Sequence, residues 1–213
     1  MKRRSGWAEV QLDGALAYRL PYGDVGALGL AVGDRLSEAD LDALNRVAGT
    51  AEAIRIALRY LSVRPRSRRE LELQLLGKGI DDNRVGAVLE RCDELGYLDD
   101  RAFAAALARD RIRLRPCGVR SLEADLRSRG VSPDDASAGI RAAMEEEGVS
   151  EAELLERAAA RRAASLAGLA PDIAARRLFA FLRRRGFAAA DAREWIERIG
   201  GDLGRRQQST TDH

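Results

Sequence analysis

Asp99 and Asp100 form the adjacent carboxylate pair that general acid–base chemistry would need, held against a reacting proton. They stand immediately before an Ala- and Arg-rich stretch, and Asp81–Asp82, Asp134–Asp135 and Asp191 stand at comparable places. Carboxylates there satisfy the free N–H groups of a helix's first turn, so they are expected to cap helices rather than to catalyse. Cys92 and Cys117 are the only thiols and His213 the only imidazole, with no CxxC pair, so no zinc site is expected. Cys92 reads as a small buried residue, while Cys117, between Pro116 and Gly118 and beside arginines, is expected to be exposed and somewhat reactive. No nucleophile–base pair, metal ligand set or Gly-Lys-Ser/Thr loop is present. The expectation is a protein that is not an enzyme, with no cofactor and no small-molecule substrate.

The residues left to act are cationic. Arg109–Arg129 holds seven arginines (Arg109, Arg111, Arg113, Arg115, Arg120, Arg127, Arg129) against three carboxylates, and Asp172–Gly186 holds five against one. Arg109 and Arg113 share a helical face, as do Arg111 and Arg115. Six glutamates, from Glu145 to Glu156, lie between these two segments, so the charge is segregated along the chain. For any single arginine a solvated helix face is the expected role. For the cluster a binding role is expected, because concentrated like charge repels itself unless a partner offsets it. The candidate contacts are Arg66, Arg68, Arg69, Lys78, Arg109, Arg111, Arg113, Arg115, Arg120, Arg127, Arg129, Arg176, Arg177, Arg183 and Arg184. A planar guanidinium suits phosphate or carboxylate equally.

Helices must position these side chains. Ala, Leu, Arg and Glu dominate, aromatics are only 5% and charged residues 33%, which favours helices with wide exposed faces. Pro65, Pro116 and Pro171 each fall near an expected helix start. Each of these helices ends in a basic residue, a glycine and an apolar residue: Lys78-Gly79-Ile80, Arg129-Gly130-Val131, Arg185-Gly186-Phe187. Leucines recur four and eight places before each glycine, at Leu71 and Leu75, Leu122 and Leu126, Leu178 and Leu182. A further helix follows each glycine and a longer one precedes each pair, over about Thr50–Val63, Asp99–Arg115 and Ser150–Leu169. The chain is therefore expected to hold three units of three helices with a period of roughly 50–55 residues. Phe103 and Tyr97 are expected to clamp the junction of the first two units, and Trp195 to close the last.

Before the repeats, WAEVQL and ALAYRL flank Asp13-Gly14, the signal for a two-residue hairpin turn. Ser37 opens a helix expected to end near Val47, with Gly49 resetting the chain and Thr50 capping the next helix. The boundaries expected are 1–49 for a basic arm, hairpin and short helix, 50–96, 97–148 and 149–203 for the repeats, and 204–213 for a disordered polar tail. A net charge of +2 is too small to indicate nucleic-acid binding by itself. No signal peptide is visible behind MKRRS and no apolar run approaches the roughly 20 residues of a membrane span, so a cytoplasmic monomer with no membrane contact is expected.

GYLDDRAFA at Gly96–Ala104, SRRELELQLLGKGI at Ser67–Ile80 and LEADLRSRGV at Leu122–Val131, with their shared L-x-x-x-L-x-x-[KR]-G-[IV] pattern, resemble the RecX family of bacterial regulatory proteins. The resemblance covers about Ala51–Ile199, and its third copy is the most degenerate. It implies a mainly α fold, an elongated curved solenoid of tandem three-helix repeats behind a small β-hairpin. It also implies a regulator of DNA repair and recombination that lodges in the groove of the RecA–ssDNA filament and restrains RecA strand exchange and ATP hydrolysis. A helical protein gripping the phosphate backbone of DNA without RecA is the alternative. That alternative predicts tight binding to bare DNA with a steep salt dependence.

Overall fold

Asp13 and Gly14 both take positive φ, 50° and 80°, the backbone twist that lets a two-residue turn join β1 (Trp7–Leu12) to β2 (Ala15–Pro21). The strands pair antiparallel, with an irregularity between Val10 and Gln11. A two-stranded ribbon is marginal alone. This one is held against α2 (Glu38–Val63): Leu20 and Leu44 are fully buried, and Tyr18 Oη donates to Asn45 Oδ1 at 2.8 Å. The short α1 (Tyr22–Ala27) follows β2. The computed structural model describes residues 6–208, with side chains described up to residue 199. The expected flexible arm lies outside the described residues except at Gly6, as do residues 209–213 of the expected disordered tail; residues 204–208 instead continue the last helix.

The expected break at Gly49–Thr50 does not occur: α2 runs unbroken for 26 residues. Its start is as the sequence indicates, with Ser37 and Asp40 capping each other reciprocally. Thr50 does not cap. Its hydroxyl donates back to Arg46 O at 3.0 Å, a bond a helix interior accepts. Gly49 lies under the Arg84 side chain: a Cβ would sit 2.6 Å from its guanidinium carbon, and that flexible group would have to move aside.

The chain divides into two compact units after Leu98. In the first, α2 packs with α3 (Arg68–Leu76) and α4 (Asp82–Glu94) around Ala53, Ala57, Leu71, Leu75, Val85, Val88, Leu89 and Cys92. The second contains α5 (Asp100–Leu114), α6 (Val119–Ser128), α7 (Pro133–Glu147), α8 (Glu151–Ala164), α9 (Pro171–Arg184) and α10 (Ala189–Gln208). Its core is continuous from Phe103 to Trp195, through Leu122, Leu126, Leu154, Leu178, Leu182 and Phe187. The protein is mainly helical with a small N-terminal hairpin, and three-helix sets recur along it.

The repeated stop signal has one geometry. Gly79, Gly130 and Gly186 take φ of 78°, 78° and 86°. The N–H one residue on bonds back to the leucine four places before the glycine: Ile80 to Leu75 O, Val131 to Leu126 O and Phe187 to Leu182 O. These paired bonds satisfy the last carbonyls of the helix. The three prolines fall near helix starts as expected: Pro171 is a first helical residue, and Pro65 and Pro116 lie two residues before the caps Ser67 and Gly118.

Candidate functional site

The arginine-bearing helix α5 is placed by its small residues. Gly139 of α7 meets α5 so closely that a Cβ there would lie 2.6 Å from Ala104 Cβ and 2.8 Å from Arg101 O. This close crossing aligns the outer ends of the two helices. Arg109 Nη1 donates to Glu146 Oε2 at 2.6 Å, and Arg113 Nη2 lies 2.6 Å from Glu147 Oε1. On the other side of α5, Asp125 of α6 takes Arg111 Nη2 at 2.7 Å and Arg129 Nε at 2.9 Å. Burial would raise the Asp125 carboxyl, and the hydrogen bonds from Arg111 and Arg129 overcome it and hold the group below its ordinary value. Arg113 likewise holds Glu147 low, and the same bond raises the Arg113 guanidinium.

The charge that is segregated in the sequence is therefore matched in part in space: Arg109, Arg111, Arg113, Arg129 and Arg176 have carboxylate partners. Glu146 and Glu147, far from Arg109 and Arg113 along the chain, are their partners. The fifteen expected contact residues sort by what holds them. Arg66 is half-buried, donates to Tyr60 O and stacks over the Tyr60 ring at 5.3 Å; burial lowers it below the usual arginine value. Arg183 donates to Phe187 O at 2.6 Å, and Arg111 and Arg129 belong to the half-buried Asp125 network. Arg68 pairs with Asp93, Arg69 with Glu72 and Arg176 with Asp172, all at exposed positions. Lys78, Arg115, Arg120, Arg127, Arg177 and Arg184 are exposed and, among the described residues, make no side-chain ion pair.

Four of these six stand on equivalent helices. Arg120 and Arg127 lie two turns apart on α6, as do Arg177 and Arg184 on α9. The backbone joins the start of α6 to the end of α9. Gly118 N–H donates to Arg185 O at 2.9 Å; a Cβ on Gly118 would strike Gly186 O at 2.6 Å, and one on Gly186 would strike Ser121 N at 2.6 Å. Glu151 of α8 closes the joint by accepting from Val119 N–H at 3.0 Å. Arg120 and Arg184, each one or two residues from this contact, flank the same junction, with Arg115 just before it.

Arg185 is a working residue that was not among the expected contacts. Its guanidinium lies 5.0 Å over the Phe181 ring and donates to Arg115 O and Pro116 O at 3.3 Å. The signal was present, since Arg185 occupies the pre-glycine place of Lys78 and Arg129, but its target depends on packing. Two further expectations are corrected. Cys117 is buried, because Arg185 and α9 cover the Pro116–Gly118 connection, and burial pushes its thiol up, away from reactivity. Tyr97 is 53% exposed, its backbone N–H donating to Cys92 O while its ring stays outside the core; Phe103 and Trp195 are buried as expected. Asp99 and Asp81 cap α5 and α4 by accepting from Ala102 and Arg84 N–H. Among the described residues, no helix is long and apolar enough to cross a membrane, and no group of His, Cys, Asp and Glu is placed to hold a metal ion.

Comparison with known proteins agrees with this architecture. Residues 53–92 match the domain described as RecX, first three-helix domain, and residues 99–140 match RecX, second three-helix domain. A regulatory protein RecX from Chlorobium limicola is 38% identical over 148 residues, covering 70% of this chain and 89% of that protein. One from Prosthecochloris aestuarii is 39% identical over 92 residues, covering 43% of this chain and 61% of that protein. A crystal structure of a regulatory protein RecX superposes with a TM-score of 0.77 at 22% identity, covering 92% of this chain and 95% of that one, a likeness of fold. With its repeated helix stops, its two matched three-helix domains and a 38% identical relative of which it covers 89%, the chain belongs to the RecX family of regulatory proteins.

Proposed function

We propose that this chain is a non-enzymatic cytoplasmic regulator that binds the RecA–ssDNA filament as a monomer and restrains its ATP hydrolysis and strand exchange. The observation that carries the reading is the set of exposed arginines left unspent by internal pairing, Arg120, Arg127, Arg177 and Arg184, on equivalent helices joined at Gly118–Gly186. Family membership supports the class of role. Unspent guanidiniums on two helices joined end to end present donors to an anionic partner at no cost in broken pairs. Arg111 and Arg129, by contrast, would leave Asp125 half-buried and unpaired if they turned outward.

The test is a titration of ATP hydrolysis on RecA-coated single-stranded DNA with the wild type and with a variant carrying R120E, R127E, R177E and R184E. Substoichiometric slowing by the wild type is expected. The variant should need at least about tenfold more protein for the same effect, as for lost rim charges at an interface. No slowing by the wild type sinks the reading, and equal potency of the variant sinks the assignment to these arginines. Measuring affinity for bare and RecA-coated DNA at one salt concentration separates this role from simple phosphate gripping, for which the two would be alike.

A further inference from the structure

The acidic residues are sorted by the fold as the basic ones are. Glu146, Glu147 and Glu151 are committed to Arg109, Arg113 and the Val119 N–H. Among the described residues, Glu123 of α6 and Glu145 of α7 make no side-chain hydrogen bond or ion pair. Both line a groove of about 640 Å³ between α6, α7 and the first turn of α8. Its floor is apolar, formed by Val119, Ile140, Met144 and Val149. Glu153, engaged in capping α8 with Ser150, adds a third carboxylate to the lining, against Arg141 as the one cation there.

We infer that this groove receives a peptide segment of a protein partner that places an apolar side chain on the Ile140–Met144 floor and lysines or arginines against Glu123 and Glu145. Charge decides the class of occupant. A lining with three carboxylates and one guanidinium favours a cationic segment over a phosphate group in the groove itself. The floor decides the anchor. Val and Ile give fixed walls, and the unbranched Met144 adapts to the shape of an inserted side chain. Glu123 stands between the free Arg120 and Arg127 on one face of α6 and lines a smaller pocket with Arg127, so the partner would meet acidic and basic contacts side by side. Only the source of the segment, the RecA protomer, rests on the function proposed above.

The test uses the full chain and an array of overlapping peptides of about 15 residues spanning the RecA sequence, a length that fills a groove of this kind. Wild type, E123K/E145K and M144E are compared for binding, with thermal melts confirming that each is folded. The expected result is capture of peptides in which an apolar residue is flanked by Lys or Arg, weakened about tenfold or more in E123K/E145K and in M144E. Capture of no peptide, capture without basic enrichment, or capture unchanged in both variants overturns the inference. The ATPase titration separates the two readings. If wild type slows the filament and E123K/E145K slows it equally, the groove assignment fails while the proposed function stands. If wild type does not slow the filament but the array still shows basic, variant-sensitive capture, the groove stands and the proposed function fails.

Discussion

Asp125 shows how one residue settles the role of two arginines. It is 22% exposed in its side chain and holds Arg111 and Arg129 together. Replacing it with Ala leaves two guanidiniums facing a half-buried gap, and a loss of about 1–2 kcal/mol in a urea unfolding titration is expected. Its folded carboxyl lies below the ordinary value, so unfolding takes up a proton as the medium acidifies. The stabilisation it supplies is complete above the unfolded value of about 3.9 and is lost as pH falls through the lower, folded value. Wild-type stability should therefore fall more steeply below about pH 4 than that of D125N, which has no proton to take up at this site. Exposed Arg120 and Arg184 behave oppositely: R120E/R184E should melt within about 2 °C of wild type, since surface substitutions away from contacts change little.

At the scale of elements, two glycine contacts set how closely helices approach. The α5–α7 crossing at Gly139 is closed to any larger residue, with Ala104 Cβ and two backbone atoms within 2.8 Å of a Cβ placed there. Gly139→Val should cost about 3 kcal/mol by overpacking, measured by denaturant unfolding, and should also abolish any coupling between Arg113 and Glu147 in a double-mutant cycle. The α6–α9 joint is equally tight, and Gly186 carries a φ of 86° besides, so Gly186→Ala is strained twice over. If G186A unfolds at the same denaturant concentration as wild type, the joint does not hold the third helix set on the second. The order of helices, their glycine stops and the caps Ser37, Asp81 and Asp99 were legible in the sequence, because each depends on residues within one turn. The continuity of α2 was not, because the residues after Gly49, Ala53 and Ala57, are held by packing against α3 and α4 and not by a local signal.

At the scale of the molecule, repeats in sequence do not become equal units in space. The core of the second unit runs without interruption from Phe103 to Trp195, through the second and third helix sets. A fragment beginning at Asp99 should unfold in one cooperative transition by circular dichroism. A fragment beginning at Val149 should not, since Leu154, Phe187 and Trp195 would lose the surfaces of α5 and α6 that complete their core.

By itself the sequence determined a helical repeat protein with a hairpin ahead of it, its helix ends and its family, since periodicity, caps and glycine stops are local properties written in order along the chain. It also named the arginine-rich segments. Only the tertiary structure decided which of those arginines are free, because pairing is settled by helix crossings that join Arg113 to Glu147 and Arg111 to Asp125 across 34 and 14 residues. The same crossings buried Cys117 and left Glu123 and Glu145 over an apolar floor. Charge counted along a chain sums over neighbours in sequence, whereas charge presented to a partner is what remains after neighbours in space have been matched.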